Sequence, residues 1–315
     1  MPKLTRKVVV LVKPEATYDT DAIPTGELNA ILCNAGVSIT PSGDKVSRDV
    51  IRNTLSKAPS VVGAIEVGLE LSVEGKGGGW DTTDPLAPEI DPLLLACGMV
   101  ADTGVVGQLT YKPTSDLTAQ QSVTVYFHKD GILHKVTGCR GTWSLDQKVG
   151  AIATFKFSLK GMWVDPTDTA LPATVTTSEI IPPVCVGMGA QIGAYSPTGI
   201  NALSLNLGAK VTRSNDINSA TGISRFTITD RAPTGSIDPE VDTLANFNPW
   251  AAWKTSTTAA IQTTVGSVAG NRFDIVLPAA AFTDPKYGER EGIDIYNLPF
   301  DATGTDDDEL ALTFR

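Results

Sequence analysis

The chain has 315 residues, 42% hydrophobic and 19% charged, with a formal net charge of −10. That much apolar material excludes general disorder, and the acidic balance excludes a protein that wraps nucleic acid by neutralising phosphates. The length suits two domains, and 29 glycines with 20 prolines predict frequent turns and little helix.

In chain order, the aliphatic run at 8–12 is flanked by Arg6, Lys7 and Lys13, and is too short for a signal-peptide core or a membrane span. Strict alternation of Ile65, Val67, Leu69, Leu71 and Val73 with Glu66, Gly68, Glu70 and Ser72 predicts a long antiparallel strand. Gly75, Gly77, Gly78 and Gly79 are followed by neither a helix pattern nor Lys-Ser/Thr, so they read as a flexible loop tip and not a phosphate cradle. Asp91-Pro92 with Gly98, and Asn248-Pro249 further on, each predict a short helix opened by a capping residue and Pro. Period-2 patterns recur at Phe155, Phe157 and Leu159, at Leu203, Leu205 and Leu207, at Phe226 and Ile228, at Ile293, Ile295 and Leu298, and at Leu310, Leu312 and Phe314.

An internal repeat fits these landmarks. Val37-Ser-Ile-Thr followed by Lys45-Val-Ser-Arg matches Leu203-Ser-Leu-Asn followed by Lys210-Val-Thr-Arg, with 211 − 46 = 165 positions between the Lys-Val pairs. Pro92 and Pro249 open the two helices, and Gly131 and Gly270 each start a hairpin. The organisation expected is an arm at 1–35, one domain at 36–165, a Pro- and Thr-rich linker at 166–185, and a second copy at 186–315. The arm and the loop at 75–88 lie outside the repeated core and are assigned to contacts between subunits.

No catalytic fingerprint is present. Only His128 and His134 supply imidazoles, and they read as packing or exposed residues beside a turn. Cys33, Cys97, Cys139 and Cys185 are far apart without CxxC spacing, so reduced thiols are expected and no zinc ribbon. Asp306-Asp307-Asp308-Glu309 lacks EF-hand spacing and reads as a solvated acidic loop; no metal and no cofactor is expected. Trp250 and Trp253 read as core packing.

The opening Leu4-Thr5-Arg6-Lys7-Val8-Val9-Val10-Leu11-Val12-Lys13-Pro14-Glu15-Ala16-Thr17-Tyr18-Asp19-Thr20-Asp21, Lys45-Val46-Ser47-Arg48-Asp49-Val50-Ile51-Arg52, Leu93-Leu94-Leu95-Ala96-Cys97-Gly98, and Lys129-Asp130-Gly131 through Gly138-Cys139-Arg140-Gly141 resemble the tail tube (major tail) proteins of long-tailed bacteriophages with flexible, non-contractile tails. The likeness runs in order along nearly the whole chain. It implies a mainly β fold of two tandem tail-tube-type β-sandwich/barrel domains, each with one short flanking α-helix. It implies a structural virion protein, not an enzyme, made in the bacterial host cytoplasm and partnered with itself and with tape measure, tail terminator and distal tail proteins. Two tandem copies imply a ring of three with pseudo-sixfold symmetry, stacked around a channel that phage DNA traverses without specific binding. On an inner barrel strand, Glu66, Glu70 and Glu74 would line that channel as acidic bands; on an outer strand they would simply face solvent. The other class kept open is a virion-borne β-sandwich adhesin or carbohydrate-binding module.

Overall fold

The computed structural model describes residues 3–315. The first half contains β1 (Val8–Pro14), β2 (Ala30–Ile31), β3 (Ser38–Val46), β4 (Val61–Glu74), α1 (Asp91–Ala96), β5 (Met99–Asp102), β6 (Leu109–Pro113), β7 (Val123–Lys129), β8 (Ile132–Lys148), β9 (Thr154–Trp163) and β10 (Thr167–Asp168). The second contains β11 (Gln191–Ile192), β12 (Ala202–Asn206), β13 (Ala209–Asn215), β14 (Ile223–Arg231), β15 (Thr234–Ile237), α2 (Pro249–Thr255), β16 (Ala259–Val265), β17 (Phe273–Phe282), β18 (Lys286–Arg290), β19 (Ile293–Ala302) and β20 (Ala311–Phe314). The fold is mainly β, and every strand pairing is antiparallel. The expected alternation holds: Val67, Leu69, Leu71 and Val73 of β4 and Phe155, Phe157 and Leu159 of β9 are all buried. Ile293, by contrast, is 51% exposed, because β19 turns its apolar side inward only from Ile295 onward.

Pairing runs β3–β4–β9–β8 in the first half, and β12–β15–β19 followed by β17 and β18 in the second. β8 also pairs with β7, and β17 with β16, through hairpins that begin near Gly131 and Gly270. Even an irregularity recurs: the β3–β4 register shifts between Gly43 and Lys45, and the β13–β14 register between Lys210 and Val211. These registers align Ile39 with Leu205 and Lys45 with Val211, a displacement of 166, one more than the Lys-Val match indicates. The halves are joined by β12 against β8 and by β20 against β6. One apolar cluster spans both, with Phe155 and Phe273 ring centroids 5.8 Å apart.

Several expectations change. The glycine segment is no loop tip: Gly75, Lys76 and Gly77 are buried, and Gly79 N–H donates to Gly270 O at 2.9 Å. Lys76 pairs with Glu89 at 3.0 Å, both almost without exposure. The stretch 1–35 is used largely by its own chain, since β1 pairs along β7 with Val10, Leu11 and Val12 buried. Asn248 caps α2, accepting from Ala251 N–H at 2.9 Å, but α1 is preceded by Ile90 and has no side-chain cap. Asp91 instead accepts from the Tyr111 hydroxyl at 2.6 Å, because burial of both groups makes that bond worth more than a cap open to water. The acidic loop is not merely solvated: Asp307 and Glu309 pair with Arg231, and Asp307 accepts from Ser115 N–H at 2.7 Å. Trp250 packs on Tyr296 and Tyr287, whereas Trp253 is 49% exposed. His128 is buried and His134 half-buried, so both pack.

Candidate channel-lining face

Side chains alternate across a strand, so the residues of β4 that miss the core share the other face. Glu66, Glu70 and Glu74 therefore stand in one row, about 13 Å between successive members at ~3.3 Å per residue. Glu70 is exposed; Glu66 and Glu74 are half-buried. Across the sheet the register continues this face through Gly68–Lys160, Glu70–Ser158 and Ser72–Lys156, then Ser144–Lys156 and Asp146–Thr154. It crosses into the second half by Asp146–Ser204 and Ser144–Asn206, and reaches Ser236, whose Oγ lies 2.8 Å from Ser204 Oγ. The result is a sheet face of hydroxyls and charges with a packed apolar reverse side.

Its charge pattern is mixed. Lys160 Nζ lies 3.5 Å from Glu66 Oε1, Arg213 Nη1 3.6 Å from Glu66 Oε2, and Lys156 Nζ 2.5 Å from Asp146 Oδ2. Exposed pairs of this kind contribute roughly 0–1 kcal/mol each, so they shape the field more than they hold the sheet. Glu70 and Glu74 have no ion-pair partner among the described residues. β4 carries a row of glutamates, β8 adds Asp146, and β9 between them presents lysines. Those lysines were legible: the period that buries Phe155, Phe157 and Leu159 leaves Lys156 and Lys160 on the opposite face.

The conspicuous motifs of the sequence lie elsewhere and hold the fold. Glu15 accepts from Ser122, Thr124, Asp19 N–H and Gly138 N–H. Arg140 donates to Phe226 O at 3.1 Å and Gln120 O at 2.9 Å, with its guanidinium 5.3 Å from the Tyr18 ring centroid. Among the described residues no group of three or more His, Cys, Asp or Glu is placed to hold a metal ion, and no helix is long and apolar enough to cross a membrane.

A family model described as phage tail tube protein matches residues 5–303, nearly the whole of this β-sheet assembly. The chain belongs to the phage tail tube protein family. No match was found among curated proteins. As a tail tube protein it is a structural subunit of a virion tail that assembles with itself and with other tail proteins. In that setting the motif residues Glu15, Tyr18 and Arg140 serve the tail tube fold.

Proposed function

We propose that three copies form a ring of pseudo-sixfold symmetry, and that rings stack into the tube of a flexible, non-contractile tail whose bore passes DNA during ejection. The observation that carries this reading is the recurrence, in both halves, of one pairing order with a register shift at matching positions. A repeated register shift is a specific feature that chance pairing does not reproduce. It supports two copies of one domain at 36–165 and 186–315. Two such copies per chain fill six positions with three chains.

Glu66, Glu70 and Glu74, with Lys156 and Lys160, line the bore in this reading. A hydrated wall of paired and unpaired charges gives phosphates no continuous cationic track to grip. Tape measure, tail terminator and distal tail proteins are the partners at the bore and at the tube ends. Electron microscopy of the purified protein tests the proposal: rings of three chains with apparent sixfold outline, or stacks of them, are expected. Protein that remains monomeric at every concentration, with affinity for glycans, would overturn it in favour of an adhesin.

A further inference from the structure

We propose that the junction between the two halves of this chain is a template for the junction between copies, down to its strand register. The inference rests on the ring reading above and adds which surfaces meet. β12 lies antiparallel to the end of β8, with Leu205 opposite Leu145 and Ser204 opposite Asp146. The pairing registers make β3 the counterpart of β12, with Ile39 at the place of Leu205. They likewise make β18 the counterpart of the end of β8: Leu145 stands opposite Phe155, and Tyr287 opposite Tyr296, the residue of β19 that takes the place of Phe155. Among the described residues β3 pairs only with β4 and β18 only with β19, so the sheet ends in two open edges. Open edges demand a partner, and the internal junction says which one fits. β18 of one copy receives β3 of the next, with Tyr287 opposite Ile39, Lys286 opposite Thr40 and Gly288 opposite Ser38.

The hairpins flanking the junction point the same way. The β13–β14 hairpin lies over the first half: Ile228 Cδ1 reaches within 3.0 Å of where a Cβ on Gly98 would sit, just past α1, and Thr221 O accepts from Ile65 N–H at 3.2 Å. Its counterpart, the β3–β4 hairpin, meets the β13–β14 hairpin of its own chain through Asp44, Ala64 and Ile65, and leaves its outer part uncovered. Val61 and Val62 are 54% and 65% exposed, and Ile51 and Leu55 near its tip fully so. Val62 occupies the position of Ile228. Ser256, left-handed at φ 52° like Gly98 at φ 76°, ends α2 as Gly98 ends α1, and it is exposed. The hairpin of one copy therefore lies over the second half of the next, with Val62 at Ser256. Tyr287, 62% exposed in the single chain, is covered at the same time.

Cysteine pairs test the register in assembled wild-type-like particles. In a Cys33→Ser background, the full chain carrying Ile39→Cys with Tyr287→Cys, or Val62→Cys with Ser256→Cys, is treated with a short bis-maleimide. Both pairs are expected to give covalent dimers and trimers. Lys45→Cys with Tyr287→Cys, displaced by about 20 Å along the strand, is expected to give none. Rings or tubes by microscopy with bridging absent from the two matched pairs, or equal in the displaced pair, would overturn the register while leaving the ring reading intact. Particles that never exceed a monomer would overturn both. If the Tyr287 variant does not fold, the Val62–Ser256 pair, exposed on both sides, decides alone.

Discussion

Glu15 collects four hydrogen bonds in a buried site: Ser122 and Thr124 hydroxyls donate at 2.6 and 2.8 Å, and the N–H groups of Gly138 and Asp19 at 2.8 and 2.9 Å. Glu15→Ala strands these donors, and a loss of about 3 kcal/mol is expected in urea unfolding, with Glu15→Gln losing less. Equal stability of Glu15→Ala and wild type would refute that account. Tyr18 accepts from Phe226 N–H at 2.7 Å, and burial pushes its phenol from the ordinary 10.0 up to about 12. A pKa raised in the folded state means that the stabilisation is complete below the unfolded value and is lost as pH climbs through the folded one. The melting temperature is therefore expected to fall between pH 10 and 12. Tyr111 and Tyr126 are raised as well, so Tyr18→Phe flattens this fall without abolishing it. An unchanged slope in Tyr18→Phe would show that this phenol does not carry the effect.

At the scale of elements, the segment at 75–79 behaves as a wedge between halves. A Cβ on Gly77 would sit 2.0 Å from Gly270 O, a backbone atom that cannot move aside without shifting the β16–β17 turn. Gly77→Ala is expected to reduce soluble yield sharply and to lower the melting temperature of what remains, while Gly36→Ala, with open space around it but φ at 103°, costs only about 1–2 kcal/mol of strain. Similar melting of Gly77→Ala and wild type would mean that the halves separate easily there. For the same reason deletion of 76–87 removes the buried Lys76 and destabilises the protein, so it does not isolate an assembly contact. Strand existence was legible because alternation reports a half-buried face directly; the glycine wedge was not, since a glycine run has no side chains to reveal what approaches it.

For the whole molecule, the proposed assembly makes the polar face the surface that passing DNA meets. Glu66→Lys with Glu70→Lys places added cations beside Lys160 and Arg213, which already converge on Glu66. Like charges at this spacing on a wet surface are screened, so tubes are expected to assemble with modest loss of stability. DNA ejection from virions is expected to slow, more strongly at low ionic strength, because lysines bind phosphate where carboxylates repel it. Normal ejection at all salt concentrations would remove β4 from the determinants of the channel.

From its residues alone the chain declared a mainly β fold, the buried side of β4 and β9, two short helices opened by Pro, and its family, because periodicity and local turn chemistry are written into neighbouring residues. Glu66, Glu70 and Glu74 were legible as one row for the same reason. What lies across from that row was a tertiary matter: Lys160 is 94 positions from Glu66 along the chain, and Arg213 approaches from the other half. The 166-position displacement was already present in the Val37-Ser-Ile-Thr match, but the Lys-Val match gave 165, and only the strand pairing chose between them. The fate of Asp91, which burial beside Tyr111 diverted from capping, was a tertiary matter too. Strand partners and the competition for buried hydrogen bonds depend on which distant segments meet, and only the folded chain decides that.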